Sequence, residues 1–208
     1  MKSKRFISHY CTIEYSRILL NGEPVFEAAD LLFAEFAKQA YHKCDVNYPK
    51  FFKMDNLSKL SFLAADIVLK DVIKENAEND IALLFANKSS SLDTDTKFNE
   101  QIADRNNYYP SPAVFVYTLP NICLGEISIR YKLYTENSFF IFAGFNQQFF
   151  KNYASILLNS GKAEKVLCGW VEYYKETYKA FMYVVSAEGT IEHSAENIKI
   201  LYQNKWKH

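Results

Sequence analysis

The 208-residue chain is poor in the residues that most nucleotide and redox sites need. Only six glycines occur, at positions 22, 125, 144, 161, 169 and 189, too scattered to build a phosphate-cradling loop or a dinucleotide fingerprint. No Gly-x-Ser-x-Gly nucleophile elbow is present. The four cysteines, Cys11, Cys44, Cys123 and Cys168, have neither zinc-like nor redox-motif spacing, and unpatterned thiols suit a reducing compartment. The four histidines, His9, His42, His193 and His208, stand far apart, so no metal site and no cofactor are expected. Charge of one sign is also lacking. Lys+Arg 24 against Asp+Glu 24 leaves net charge +0, which argues against a nucleic-acid partner. No apolar run approaches the ~18 residues of a membrane span, and the start, Met1-Lys2-Ser3-Lys4-Arg5-Phe6, has no signal-peptide core. A soluble, cytoplasmic protein is the expectation.

What is abundant is aromatic surface: 17 Phe and 15 Tyr, 16% aromatic residues in all. That excess predicts either a Phe-rich core or an extensive protein contact. The length suits one domain, able to bury about 70% of its unfolded-chain surface without disulfide or metal.

The pattern along the chain alternates strands with helices. Residues 6–15 read as a first strand, Asn21-Gly22 as a turn, and Pro24 as the first residue of a helix with Val25, Ala29, Leu32, Phe36 and Ala40 on one face. Asp55 is placed to cap a second helix carrying Leu57, Leu60, Ala64, Ile67 and Val68, which fades near Asn76. Ile81–Phe85 has the unbroken apolar run of a strand buried on both faces. A polar stretch with a weak helix at 98–102 and a break at Tyr109-Pro110-Ser111-Pro112 precede a helix at 122–133 and a strand at 138–142. A helix from Phe149 to Leu157 stops near Gly161. Strands at 166–173 and 180–185 lie too close in sequence for anything but an antiparallel hairpin, and the 194–208 tail can form one helix. The order predicts one α/β layered domain over residues 1–208, mostly parallel, ending in an antiparallel strand.

One segment carries more. Ser111-Pro112-Ala113-Val114-Phe115-Val116-Tyr117-Thr118-Leu119-Pro120-Asn121, continuing into Gly125-Glu126-Ile127-Ser128-Ile129-Arg130-Tyr131-Lys132-Leu133, resembles the N-terminal half of β-ketoacyl synthases of the thiolase superfamily. Gly161-Lys162-Ala163-Glu164-Lys165-Val166-Leu167-Cys168-Gly169-Trp170-Val171-Glu172 and the helix at 55–70 resemble two further landmarks of that half, over roughly residues 50–186 in all. The resemblance implies a single thiolase-type half-domain: a five-stranded sheet in the order 3-2-1-4-5, flanked by helices, with its last strand antiparallel.

In that family a cysteine at a helix N-terminus accepts the acyl group, its thiol activated by the helix dipole. Gapless counting from Gly125 and from Cys168-Gly169 both reach Gly144, which has no side chain to acylate. Cys123 and Cys168 read as small core residues, and His193 and His208 lack the context of the family's two active-site histidines, which belong to a C-terminal half beyond this length. The resemblance therefore implies a non-catalytic partner of a full-length β-ketoacyl synthase, comparable to a chain length factor of fatty-acid or polyketide (aryl-polyene-like) synthesis. It would meet acyl carrier protein only indirectly.

The strand Asn137-Ser138-Phe139-Phe140-Ile141-Phe142 would be the dimer edge. Ala113, Val114, Phe115 and Tyr117 would lie at the interface, beside the partner's acyl tunnel. Alternatives remain: Val114 and Phe115 as plain core residues, a silent structural homodimer, or an altered thioester chemistry using Glu126, which otherwise reads as a helix-surface residue.

Overall fold

The computed structural model describes residues 4–74, 78–106 and 108–203; Asn76 and His208 lie outside them. Strand β1 (Phe6–Glu14) is followed by a hairpin extension, β2 (Arg17–Leu20) and β3 (Glu23–Glu27). Asn21 and Gly22 make its two-residue turn with φ of 53° and 90°, the pair of positive values that a type I′ hairpin demands. Asn21 locks the turn, donating its N–H to Tyr10 O (2.8 Å) while its Oδ1 accepts from Tyr10 N (2.9 Å). The helix expected from Pro24 is thus displaced. Pro24 stands on an outer strand, where its missing N–H costs no ladder bond, and α1 runs only over Phe33–Lys43.

Helix α2 (Asn56–Leu69) begins where its cap predicts, with Ser58 N donating to Asp55 Oδ1 at 2.9 Å. Strand β4 (Ile81–Asn87) is buried at every position, as its continuous apolar run requires. The polar stretch after it folds into α3 (Leu92–Ile102), longer than expected. The proline-rich break contains a one-turn helix, α4 (Pro112–Val116), with Ser111 as cap and Pro112 at its first position. Then come α5 (Ile122–Tyr131), β5 (Asn137–Ile141), α6 (Gln147–Asn159), β6 (Lys165–Tyr174), β7 (Thr177–Ser186), the short β8 (Ile191–Glu192) and α7 (Ala195–Tyr202). The β6–β7 hairpin turns on Lys175 and Glu176, both at positive φ.

All strands join one open sheet in the order β3-β2-β1-β7-β6-β4-β5, with β8 paired to β1. The α/β class and the reversed last strand of the expected five hold: β7 runs antiparallel to both its neighbours, β1 and β6. The expected strand order and the mostly parallel pairing do not. The first strand lies beyond β7 rather than between β4 and β6, and the described residues form eight strands rather than five. Only β4–β5 and β4–β6 pair in parallel, because the added hairpins at β2, β3 and β8 are antiparallel. Helices α1, α2 and α5 cover one face, and α6 and α7 the other. Alternation along β4 divides its side chains accordingly, Leu83 and Phe85 to the first layer, Leu84 and Ala86 to the second. Gly169 makes room for Phe85, since a Cβ there would come within 3.0 Å of its ring. Much of the aromatic excess is core: Phe33, Phe36, Phe51, Phe62, Phe85, Phe150 and Phe181 are fully buried. Among the described residues no helix is long and apolar enough to cross a membrane.

His193 joins β8 to α7 and is 6% exposed, its ring 5.9 Å from that of Tyr183 and neither ring nitrogen hydrogen-bonded. Burial, and then the Lys151 charge, hold it at about 4. An unfolded histidine titrates near 6.5, so the unfolded chain binds the proton first as pH falls. The stabilisation is complete above that value and is lost as pH drops towards 4. Between pH 7 and pH 5 the protein should lose about 2 kcal/mol of unfolding free energy through this group. Urea titrations of wild type and His193→Leu at both pH values test it; equal pH slopes in the two proteins would show that His193 is not the source.

Candidate functional site

Gly144 lies in the bend between β5 and α6, exposed, three residues before the helix begins. This is the setting the resemblance requires for a nucleophile, a strand's C-terminal end turning into a helix N-terminus. The helix start is already capped, with Phe149 N donating to Asn146 Oδ1 at 3.0 Å. A Cβ at Gly144 would meet no atom within 4 Å, and the residue does not need positive φ. Packing therefore does not explain the glycine. The next residue, Phe145, turns inward and stacks on Tyr202 of α7 at 4.0 Å, against Phe150, Trp170 and Phe181.

Three of the four thiols are shut away from solvent, and only Cys44, at the C-terminal end of α1, is part-exposed. Cys123 (α5) and Cys168 (mid-β6) are fully buried, and desolvation pushes both thiols up to about 12, so they stay protonated. Burial likewise pushes Cys11 upward. Among the described residues no three metal-ligating side chains gather.

Strand β5 occupies one rim of the sheet, paired on one side with β4 and open on the other. Its sequence, Asn137-Ser138-Phe139-Phe140-Ile141, carries neither charge nor proline, and Ile141 is 49% exposed. The opposite rim, β3, has Glu23, Pro24 and Glu27 and a register shift where it pairs with β2. Those are the devices that block edge-to-edge pairing, and β5 has none of them. Phe140 is less accessible than expected: it packs edge-on against Phe149 (4.7 Å) and Tyr153 (5.5 Å) of α6, and Phe142 does the same to Phe149.

The residues expected beside a partner's tunnel fall on both sides of α4. Ala113 and Phe115 are exposed, Val114 is half-buried, and Tyr117 is buried. The core-residue alternative is thus overturned for Phe115, 56% exposed, while Tyr117 turns into the core of the isolated chain. Val116 and Leu119 join Phe115 outside, an apolar surface that the sequence reading passed over. Glu126, expected on a helix surface, is 4% exposed. Its Oε1 lies 2.9 Å from Lys50 Nζ and accepts the Tyr117 hydroxyl at 3.1 Å. The inward side of α5 was legible in Cys123 and Ile127, which share its buried face with Glu126.

No protein-family model matches the chain, and no curated protein does. Solved structures match by shape. The ishigamide ketosynthase/chain length factor superposes with TM-score 0.64 at 17% identity, over 88% of this chain and 62% of its own. The ketosynthase ApeO in complex with its chain length factor ApeC, from Xenorhabdus doucetiae, gives TM-score 0.61 at 12% identity, over 98% of this chain and 92% of the matched one. AntDE:AntF, a type II PKS acyl-carrier protein in complex with its ketosynthase bound to the hexaketide, gives 0.60 at 13%, over 89% and 63%. The chain therefore spans less than two thirds of the first and third, and nearly all of the second. Its fold is similar to that of these ketosynthase and chain length factor structures. Its neighbours by shape are the ketosynthase/chain length factor proteins that the Ser111–Leu133 resemblance pointed to.

Gly144→Cys should fold with stability changed by less than about 1 kcal/mol. Its new thiol, exposed before α6, should be alkylated by iodoacetamide at neutral pH while Cys11, Cys123 and Cys168 are spared. Intact mass after incubation with an acyl thioester donor should show no stable adduct on the wild type. A wild-type acyl adduct would refute the reading of Gly144 as a lost nucleophile.

Proposed function

We propose that this chain is a non-catalytic, chain-length-factor-type subunit that pairs with a full-length β-ketoacyl synthase and shapes the tunnel in which its acyl chain grows. The observation that carries the reading is the open, uncharged rim β5 leading directly into the bend where the resemblance expects a nucleophile and Gly144 offers no side chain. A second ketosynthase-type sheet adding along β5 would satisfy its free backbone groups and cover Ile141. The exposed α4 segment would supply further apolar contact through Phe115, Val116 and Leu119. The neighbours by shape that are ketosynthase/chain length factor proteins support the same reading. The substrate class is a growing polyketide or fatty acyl chain of the aryl-polyene kind, delivered to the partner by acyl carrier protein in the cytoplasm. The whole chain forms one domain for this purpose. Altered thioester chemistry at Glu126 has less support, because Lys50 and Tyr117 already engage the carboxylate.

Co-expression with the full-length ketosynthase of the same genome should give a stable complex. Ile141→Asp should weaken it at least tenfold by desolvating a charge at the pairing rim, whereas Val25→Asp on the opposite rim should leave it unchanged. Equal effects from the two substitutions would move the interface away from β5. A stable self-dimer that ignores the ketosynthase would favour the structural homodimer instead.

A further inference from the structure

Helix α4 has five residues, too few for helical propensity to hold it. Its ends are tied down. Ser111 N donates to Gln101 Oε1 (2.8 Å), and Ser91 Oγ donates to Thr118 O (2.6 Å). These bonds fix where the segment starts and stops. Its rotation about its own axis is left to side-chain packing, Phe115 against Phe98 of α3 at 5.4 Å on the outside and an inserting side chain on the inside. Between residues 111 and 120 only Tyr117 is buried. Its ring belongs to the core layer of α2 and α5, and its hydroxyl ends on Glu126 Oε1. A buried phenol without an acceptor would cost about 1–3 kcal/mol, so the acceptor's place decides how deep and at what angle the ring seats.

Glu126 is itself held in place. Lys50, from the 3-10 turn Pro49–Lys53 and half-exposed, meets the same Oε1 at 2.9 Å, so one carboxylate oxygen joins the 3-10 turn, α4 and α5. Burial, then the Glu126 charge, push the Tyr117 hydroxyl upward, so it remains a donor at any ordinary pH. An ionised carboxylate only accepts, which gives the pair one direction and a charge-assisted bond.

We infer that Glu126 is a positioning residue: by seating Tyr117 it sets the roll of α4, and with it the presentation of Phe115, Val116 and Leu119 to a partner. The inference rests on the pairing function proposed above. It makes the specificity of that surface depend on a residue which cannot touch the partner. With Tyr117 turned in, Phe115 and Val116 face out, and at 100° per residue a roll of about 100° would replace Phe115 with Val114.

The test separates the clamp from the interface. Hydrogen exchange is measured on the free chain for wild type, Tyr117→Phe, Glu126→Ala and Glu126→Gln. Residues 112–119 should exchange at least tenfold faster in Tyr117→Phe and Glu126→Ala, with α2 and α5 unchanged, while Glu126→Gln, which keeps an acceptor, should recover most of the protection. Exchange unchanged in α4, or raised equally in α2 and α5, would overturn the inference, whatever the partner does. Affinity for the full-length ketosynthase of the same genome is then measured for Tyr117→Phe and for Phe115→Asp. A tenfold or greater loss in both supports the inference. Loss in Phe115→Asp alone overturns it, because the surface would then work without the clamp. Loss in neither, with the exchange result obtained, overturns the proposed pairing through α4 and leaves Glu126 holding only the fold.

Discussion

Strand β4 sits between two parallel neighbours, and the rest of the architecture follows from that. Parallel strands cannot be joined by a tight turn, so the chain must cross the sheet twice, once from β4 to β5 and once from β5 back past β4 to β6. The two crossings move in opposite directions along the sheet. If each keeps the right-handed sense that twisted strands favour, their helices must lie on opposite faces. They do: α5 packs in one layer and α6 in the other. The double crossing leaves β5 at the rim, where among the described residues only β4 pairs with it. It also aims the turn after β5, with Gly144, out of the end where β4 and β5 both finish.

The two rims are treated differently. At β3 the chain places glutamates, a proline and a register shift. At β5 it places serine, phenylalanine and isoleucine and lets the helices on either face support them. The contrast is a physical argument that one rim is built to stay free and the other to be covered. Helix α5, beside β5, is held twice by the same chemistry. Tyr117 donates to its Glu126 at mid-helix, and its Tyr131 donates to Asp66 of α2 at the end. Burial raises the Asp66 carboxyl while the Tyr131 bond opposes the shift. Tyrosine–carboxylate pairs of this kind let a polar group enter the core without an unpaired donor.

Signals that act over a few residues were legible. The apolar run of β4, the Asp55 cap and the short link between β6 and β7 each encode a local outcome that tertiary packing did not override. Where local signals compete they were misread. Pro24 is favourable both at a helix start and on an outer strand, and the I′ turn at Asn21-Gly22 decided for the strand by giving it β1 and β2 to follow.

The sequence by itself determined the α/β class, most of the helices and strands, the position of the glycine where the resemblance expects a nucleophile, and an uncharged strand at 137–141. Only the tertiary structure decided the strand order, which side of α4 faces out, and that Glu126 is inside. The reason is range. Periodicity and capping are read between neighbours three or four positions apart. The place of β1 depends on its antiparallel pairing with β7, about 170 residues later, and the burial of Glu126 depends on Lys50 and Tyr117, brought to one oxygen by separate segments.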